Sequence, residues 1–133
     1  MKKNRISKNW INKQRRDIYV RQSKIEGYRS RAVYKLKEIN DKFKILRNGQ
    51  SIVDLGGAPG SWSQYLSSTL KNTKLLAIDL LEIQEIKNVK LMKGDFTEDI
   101  YKQKIKSLFN TKIDLVISDM AVNTSGIKDI DSI

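Results

Sequence analysis

Residues 53–62 read VDLGGAPGSW, and this stretch decides which fold the sequence can adopt. A short apolar run leads into a segment in which three glycines and one proline fall between Gly56 and Gly60. These residue types interrupt regular hydrogen bonding and permit close approaches to the backbone that other side chains prevent. The stretch therefore predicts a strand that ends in a ligand-binding loop, and it raises the question of what approaches that backbone.

Strand-like and helix-like segments alternate after this stretch. We predict strands at Ser51–Leu55, Lys74–Asp79, Val89–Met92 and Ile113–Ser118, and helices at 30–44, 61–70 and 98–109, with Ser30 as the first N-cap. This alternation predicts an α/β fold with a parallel sheet and helices on both faces. The fourth strand is almost continuously apolar, which predicts burial on both of its faces.

The length of 133 residues fits one compact domain. The sequence stops after the fourth predicted strand, in the loop-like stretch Thr124–Ile133. Because a doubly wound fold normally continues with a second half, we expect a domain that is truncated after its fourth strand.

Positive charge is concentrated at the N-terminus. Residues 1–35 contain 12 Lys or Arg and two acids, a net charge of +10 out of +11 for the whole chain. We therefore divide the chain into a basic arm, residues 1–28, with a short helix at most, and a nearly neutral domain, residues 29–133. Aromatic residues interleaved with the cations favour a nucleic-acid partner over a solvated tail; they are Trp10, Tyr19, Tyr28 and Tyr34.

Composition excludes several classes of protein. The chain has no cysteine and no histidine, so we expect neither a disulfide framework nor a metal site built from thiolates or imidazoles. No apolar run approaches the roughly 20 residues of a membrane span, and the first ten residues lack the apolar core of a signal peptide. We expect a cytoplasmic protein without a membrane partner.

Aspartates recur at the ends of the predicted strands. Asp79 closes the second strand, Asp95 follows the third, Asp119 follows the fourth, and Asp54 lies within the first. Any one of them alone is better explained as a cap of the next helix or turn. Their recurrence beside a glycine loop favours a binding crevice at the carboxyl edge of the sheet.

The glycine loop does not match the patterns of phosphate-binding loops. The dinucleotide pattern G-x-G-x-x-G fails at Ala58 and Ser61, and the Gly-Lys-Ser/Thr of a P-loop is absent. These failures disfavour an NAD-dependent oxidoreductase. Asp79 lies 19 residues after Gly60, a suitable distance for a carboxylate that binds ribose hydroxyls. A nucleoside ligand without pyrophosphate, held by carboxylates, suggests S-adenosylmethionine, whose sulfonium and amino groups are cationic.

Five ordered motifs resemble those of the FtsJ-like RNA 2′-O-methyltransferases. They are GYRSRAVYKL at 27–36, DLGGAPGSWSQY at 54–65, IDL at 78–80, GDF at 94–96 and SDMA at 118–121. The resemblance extends from about Arg15 to the end of the chain, and it implies a Rossmann-like methyltransferase fold with S-adenosylmethionine as cofactor. It also implies that Gly60 and Trp62 contact the cofactor from the loop, that Asp79 binds the ribose, and that Asp95 binds the adenine amino group.

The resemblance further implies a catalytic Lys-Asp-Lys-Glu tetrad. Lys35 would be its first lysine, and Asp119 its aspartate, which also lies beside the methyl donor. The second lysine and the glutamate would lie on later strands, beyond Ile133.

The implied reaction is methylation of a uridine ribose 2′-hydroxyl in large-subunit ribosomal RNA, because the likeness is strongest to the bacterial members that modify this RNA. The expected partner is ribosomal RNA or the large ribosomal subunit, and a monomer is expected. The alternative is a non-catalytic RNA- or cofactor-binding fragment, since half of the tetrad is missing from the sequence.

Overall fold

The computed structural model describes residues 2–110 and 112–120, with side chains from residue 8 onward. The described residues form α1 (Lys2–Glu26), α2 (Val33–Phe43), β1 (Ser51–Leu55), α3 (Ser61–Thr69), β2 (Lys74–Asp79), β3 (Val89–Lys93), α4 (Asp99–Leu108) and β4 (Leu115–Ser118). The predicted loop at 124–133 lies outside the described residues.

The strands form one sheet in the order β3-β2-β1-β4, and every neighbouring pair is parallel. The predicted α/β fold with a parallel sheet is confirmed. All four carboxyl ends meet at one edge of the sheet, where the glycine loop follows β1 and Asp119 follows β4. This topology brings the predicted site residues to one side of the molecule.

Side chains alternate between the two faces of β1 and fill two separate cores. Ile52 packs with residues of α2 and α3, including Leu36 and Leu66. Val53 and Leu55 belong to a second cluster that contains residues of α4. Helices therefore cover both faces of the sheet, as predicted. The alternation places Asp54 on the same face as Ile52, under α3.

The N-terminal segment differs from its prediction. It is one helix of 25 residues rather than a short helix at most. No glycine or proline interrupts the segment, and its many Lys, Arg and Gln residues have good helix propensity. Gly27 ends the helix at φ +82°, where its N–H donates to Lys24 and the N–H of Tyr28 donates to Ser23. No helix among the described residues is both long enough and apolar enough to cross a membrane.

Two smaller predictions are also corrected. Ser30 is not the N-cap, because α2 begins at Val33 and Ala32 occupies the cap position. The Ser30 hydroxyl accepts from the Ala32 amide at 3.3 Å and pairs with the Ser61 hydroxyl at 2.8 Å. β4 is only partly buried, with Ile117 as its one buried residue. Within the described part of the chain β4 has a sheet neighbour on one side only, β1, which leaves its other side uncovered.

Candidate active site

Three backbone N–H groups of the glycine loop are used within the protein. The amides of Gly56 and Gly57 both donate to the carbonyl of Ile78, at 2.8 and 3.1 Å. The amide of Ala58 donates to the carboxylate of Asp79 at 2.9 Å. These donors point toward β2, so they cannot form a cradle for a phosphate group. This geometry supports the expectation of a ligand without phosphate.

The glycines are required by close approaches of the protein's own side chains. A Cβ on Gly56 would collide with the side chain of Met120, and Gly56 has a φ of +66°. A Cβ on Gly60 would lie 2.7 Å from Ile86 and 2.9 Å from the guanidinium of Arg29, at a φ of +120°. The protein itself therefore approaches this backbone from both sides, which answers the question that the sequence raises.

A cavity of about 180 Å³ opens beside the loop. We call it the donor cavity; its walls are Ser30, Ala32, Asp54, Asp119 and residues 56–62. Three predicted cofactor residues, Gly60, Trp62 and Asp119, are among these residues. Trp62 is also part of the core, and its indole N–H donates to the carbonyl of Ala32 at 2.7 Å.

Asp54 is the buried acid of the donor cavity. Its side chain is 2% exposed, and its carboxylate accepts one hydrogen bond, from the Ser63 hydroxyl at 2.9 Å. Burial raises the pKa of Asp54 to about 7; the Ser63 hydrogen bond opposes the rise, and the nearby charges of Asp119 and Asp79 add to it. The cavity thus contains a carboxyl group whose charge is disfavoured until a cation comes near.

Lys35 and Asp119 form an ion pair beside the donor cavity, which Asp119 lines and Lys35 does not. The Lys35 ammonium donates to the Asp119 carboxylate at 3.3 Å, and the two side chains are 43% and 35% exposed. Lys35 comes from α2 and Asp119 from the end of β4, so residues 84 positions apart meet here. The predicted convergence of these two residues is present in the structure, and both remain accessible to a reactant.

A second cavity, of about 570 Å³, adjoins the first. We call it the acceptor cavity; it is lined by Tyr19, Ser30, Arg31, Ala32, Tyr34, Lys35, Glu38 and Asp119. Ser30, Ala32 and Asp119 line both cavities. The acceptor cavity carries two cations, Arg31 and Lys35, which suit the phosphates of a nucleic-acid strand.

Two predicted cofactor residues do not line the donor cavity. Asp79 holds the loop, because its carboxylate accepts hydrogen bonds from the amides of Ala58 and Leu81, both at 2.9 Å. Asp95 lies after β3 and accepts hydrogen bonds from the amide and hydroxyl of Thr97, which hold the pKa of its carboxyl below the usual range. A role for either residue in binding a ligand stays a prediction.

Sequence reasoning missed several residues that shape the two cavities. Ser63 gave no signal, because a serine in the first turn of a helix is common. Arg29 and Arg31 lie in the motif at 27–36. The motif does not indicate that Arg29 binds backbone carbonyls whereas Arg31 lines the acceptor cavity. The contribution of Tyr19 from the arm depends on how α1 docks on α2, which residue spacing does not predict.

Comparisons with known proteins point to one family. The family model described as FtsJ-like methyltransferase matches residues 28–133. Two curated relatives are named ribosomal RNA large subunit methyltransferase E. The one from Pelagibacter ubique is 64% identical over 100% of this chain, and the one from Legionella pneumophila (strain Corby) is 45% identical over 98% of it.

The fold is also similar to a solved structure. A crystal structure described as a ribosomal RNA methyltransferase from Plasmodium falciparum aligns with a TM-score of 0.64 and 35% identity, over 78% of this chain and 62% of that one. The present chain covers 66% and 65% of the two curated relatives, so it spans just under two thirds of their length.

Proposed function

This chain belongs to the FtsJ-like methyltransferase family, and we propose that its protein methylates the 2′-hydroxyl of a uridine ribose in large-subunit ribosomal RNA, with S-adenosylmethionine as donor. One observation carries the proposal: two adjoining cavities share Asp119, and Asp119 pairs with Lys35 where they meet. A reaction that moves a group between two substrates needs this arrangement, because donor and acceptor must meet at one point.

The donor cavity carries groups that suit S-adenosylmethionine. The amides of Gly56, Gly57 and Ala58 are turned toward β2 and away from any phosphate, and Asp54 and Asp119 provide carboxylates that would stabilise a sulfonium and an ammonium group. When bound, this cofactor supplies a methyl group on a positively charged sulfur. We assign its contacts to Gly60, Trp62 and Asp119 in the cavity; the family resemblance adds Asp79 for the ribose and Asp95 for the adenine amino group.

The acceptor side needs a group that makes a ribose hydroxyl a better nucleophile. A 2′-hydroxyl becomes reactive as it loses its proton to a base, a role that the resemblance assigns to the second lysine of the tetrad, beyond Ile133. A nearby ammonium stabilises the negative charge that develops on the oxygen. Lys35 supplies this charge. The Lys35 ammonium donates to Asp119 at 3.3 Å, and this contact favours its position beside the residue that both cavities share. We assign catalytic roles to both residues on this basis.

The basic arm supports RNA as the acceptor. Residues 1–28 are proposed as an RNA-binding element, and residues 29–133 as part of the methyltransferase domain. Every described side chain from Lys8 to Tyr19 is exposed, so the cations of this part of α1 are available to phosphates. A ribosomal substrate also favours the cytoplasm as the place of action, and we propose a monomer as the active form.

The proposal is tested with the protein at its natural length. Calorimetry should detect binding of S-adenosylhomocysteine and weaker or no binding of NAD. Incubation with labelled S-adenosylmethionine and unmodified large subunits, or their RNA, should place the label on a ribose 2′-oxygen of a uridine, detected by nuclease digestion and mass spectrometry. A label on a base, or tighter binding of NAD, would overturn the proposal.

The same experiment separates catalysis from binding alone. A fragment that only binds RNA or cofactor would show both affinities and no labelled product. Residues 1–133 should behave in this way by themselves, because the resemblance places the second lysine of the tetrad beyond Ile133. Turnover by residues 1–133 alone would contradict the assignment of that lysine.

A further inference from the structure

Arg29 binds two loops of the candidate site through their backbone carbonyls. Its Nη1 donates to the carbonyl of Pro59 at 2.9 Å and to that of Gln84 at 2.7 Å, and its Nη2 donates to that of Glu85 at 2.7 Å. Pro59 lies in the glycine loop, and Gln84 and Glu85 lie in the loop between β2 and β3. One guanidinium therefore connects two loops that are separate in sequence.

The rest of the segment that carries Arg29 is also bound to this region. The amide of Arg29 donates to the Gln64 side-chain carbonyl at 2.8 Å, and the Gln64 amide group donates to the carbonyl of Gly27 at 3.3 Å. The Ser30 and Ser61 hydroxyls pair at 2.8 Å. These contacts attach the chain before α2 to the first turns of α3, directly after the glycine loop.

The guanidinium also explains the conformation of the loop. A Cβ on Gly60 would lie 2.9 Å from Arg29 Nη1, so the arginine occupies the space that glycine leaves free. Gly60 lines the donor cavity, whereas Arg29 does not. Arg29 thus acts on the cavity from behind the loop.

We propose that Arg29 is a positioning residue of the donor site, which holds the glycine loop in its binding geometry, and that it is not a contact to RNA. The proposal rests on the assignment of the donor cavity as the cofactor site. It departs from the simplest interpretation of a basic, arginine-containing segment, in which both Arg29 and Arg31 would bind phosphates. Here their roles differ: Arg31 is exposed and lines the acceptor cavity, whereas the Arg29 guanidinium is used on carbonyls.

Arg29→Lys is the informative variant, because it keeps the charge and removes the planar fork that reaches both loops. We expect S-adenosylhomocysteine to bind about tenfold or more weakly in calorimetry, and RNA affinity and its salt dependence to stay as in the wild type. Arg31→Ala is the matched control: RNA affinity should fall, and S-adenosylhomocysteine affinity should stay unchanged. Both variants are made in the protein at its natural length.

A second measurement does not depend on any ligand. Hydrogen–deuterium exchange of residues 56–62 should be faster in Arg29→Lys than in the wild type, and unchanged in Arg31→Ala. If the loop exchanges faster in Arg29→Lys but the wild type does not bind S-adenosylhomocysteine, the positioning role of Arg29 stands and the proposed cofactor is refuted.

Three results would overturn the inference. Unchanged S-adenosylhomocysteine affinity in Arg29→Lys, with unchanged exchange of the loop, would remove the positioning role. A loss of RNA affinity alone in Arg29→Ala would make Arg29 a phosphate contact. If Arg29→Lys does not fold, the arginine stabilises the whole domain, and a local role at the donor site is wrong.

Discussion

At the residue scale, Asp54 gives the candidate site an unusual electrostatic property. A buried carboxylate is stable only with strong donors or a counter-ion, and Asp54 has one neutral donor, Ser63. The charged groups that face it are Asp119 and Asp79, both acidic, and Lys35 lies beside Asp119 as its ion-pair partner. Burial among acids therefore favours a protonated Asp54, and a cationic ligand would favour its ionised form.

This property predicts a pH dependence of stability. In the unfolded chain Asp54 loses its proton near its ordinary pKa of about 4, whereas in the folded chain its pKa is raised to about 7. The stability that comes from the bound proton is complete below pH 4 and is lost as the pH rises through 7. We expect the urea concentration at the unfolding midpoint of the ligand-free protein to decrease as the pH is raised from 5 to 8.

Asp54→Asn is the control for this prediction. Asparagine keeps the shape and the acceptor for Ser63 but has no proton to release, so the midpoint should change much less over the same range. The lowered pKa values of Glu26 and Asp95 act in the opposite direction and at more acidic pH, below about 4.5, outside the measured window. Parallel pH profiles of Asp54→Asn and the wild type would refute the assignment of the proton to Asp54.

At the element scale, α1 has two parts with different environments. Residues 8–19 are exposed, and Trp10 is 60% exposed, whereas Ser23 is buried against the domain. The Tyr19 ring stacks on Tyr34 with centroids 5.2 Å apart, and Lys37 bridges to Glu26 at 3.3 Å. The end of α1 is thus docked on α2, while its first part projects with its cations free of the core.

Deleting residues 1–18 tests this division. The deletion removes seven Lys or Arg and one acid, a net charge of +6, and leaves Tyr19 and Ser23 in place. We expect RNA affinity to fall, and the log–log salt slope to become shallower by about 0.7 for each single-strand phosphate that the arm no longer neutralises. S-adenosylhomocysteine affinity and the unfolding temperature should hardly change. Unchanged RNA affinity and slope would reduce the arm to a solvated tail.

The aromatic residues that are interleaved with the cations of residues 1–35 cannot all stack on RNA bases. Tyr28 and Tyr34 pack edge to face, and the Lys37 ammonium lies 5.0 and 5.2 Å from their ring centroids. These rings are used for docking α1 on α2. Trp10 remains the exposed aromatic of the projecting part, so the predicted stacking on bases applies best to this residue.

The sequence predicted some elements well for identifiable reasons. Residues 51–55 and 74–79 are mostly apolar, and the first run ends at the glycine loop and the second at an acid. These endings mark the limits of the strands, and both strands have the predicted limits. α1 has no apolar face that packs along its length, so periodicity did not reveal it. Helix propensity and the glycine at its end decide its extent instead.

At the scale of the whole molecule, the site could be predicted only in part. Parallel strands bring their ends together, so the meeting of Lys35 and Asp119 followed from the motifs and the predicted parallel sheet. The hydrogen-bond partners of Asp79 and Arg29 did not follow, because both bind backbone atoms of loops whose path depends on the folded chain. Side-chain type and spacing carry no information about such partners.

The last prediction concerns the meeting point of the two cavities. Lys35→Ala and Asp119→Ala should each slow single-turnover methyl transfer by about 10²-fold or more at saturating cofactor and RNA, because the Lys35 charge matters most as negative charge develops on the 2′-oxygen. Lys42→Ala removes the same charge from the exposed end of α2 and should leave the rate unchanged. RNA affinity should differ little between the Lys35 and Lys42 variants. If Lys35→Ala reacts at the normal rate and only needs more RNA, Lys35 is a phosphate contact, and the geometry of its pair with Asp119 has no catalytic role.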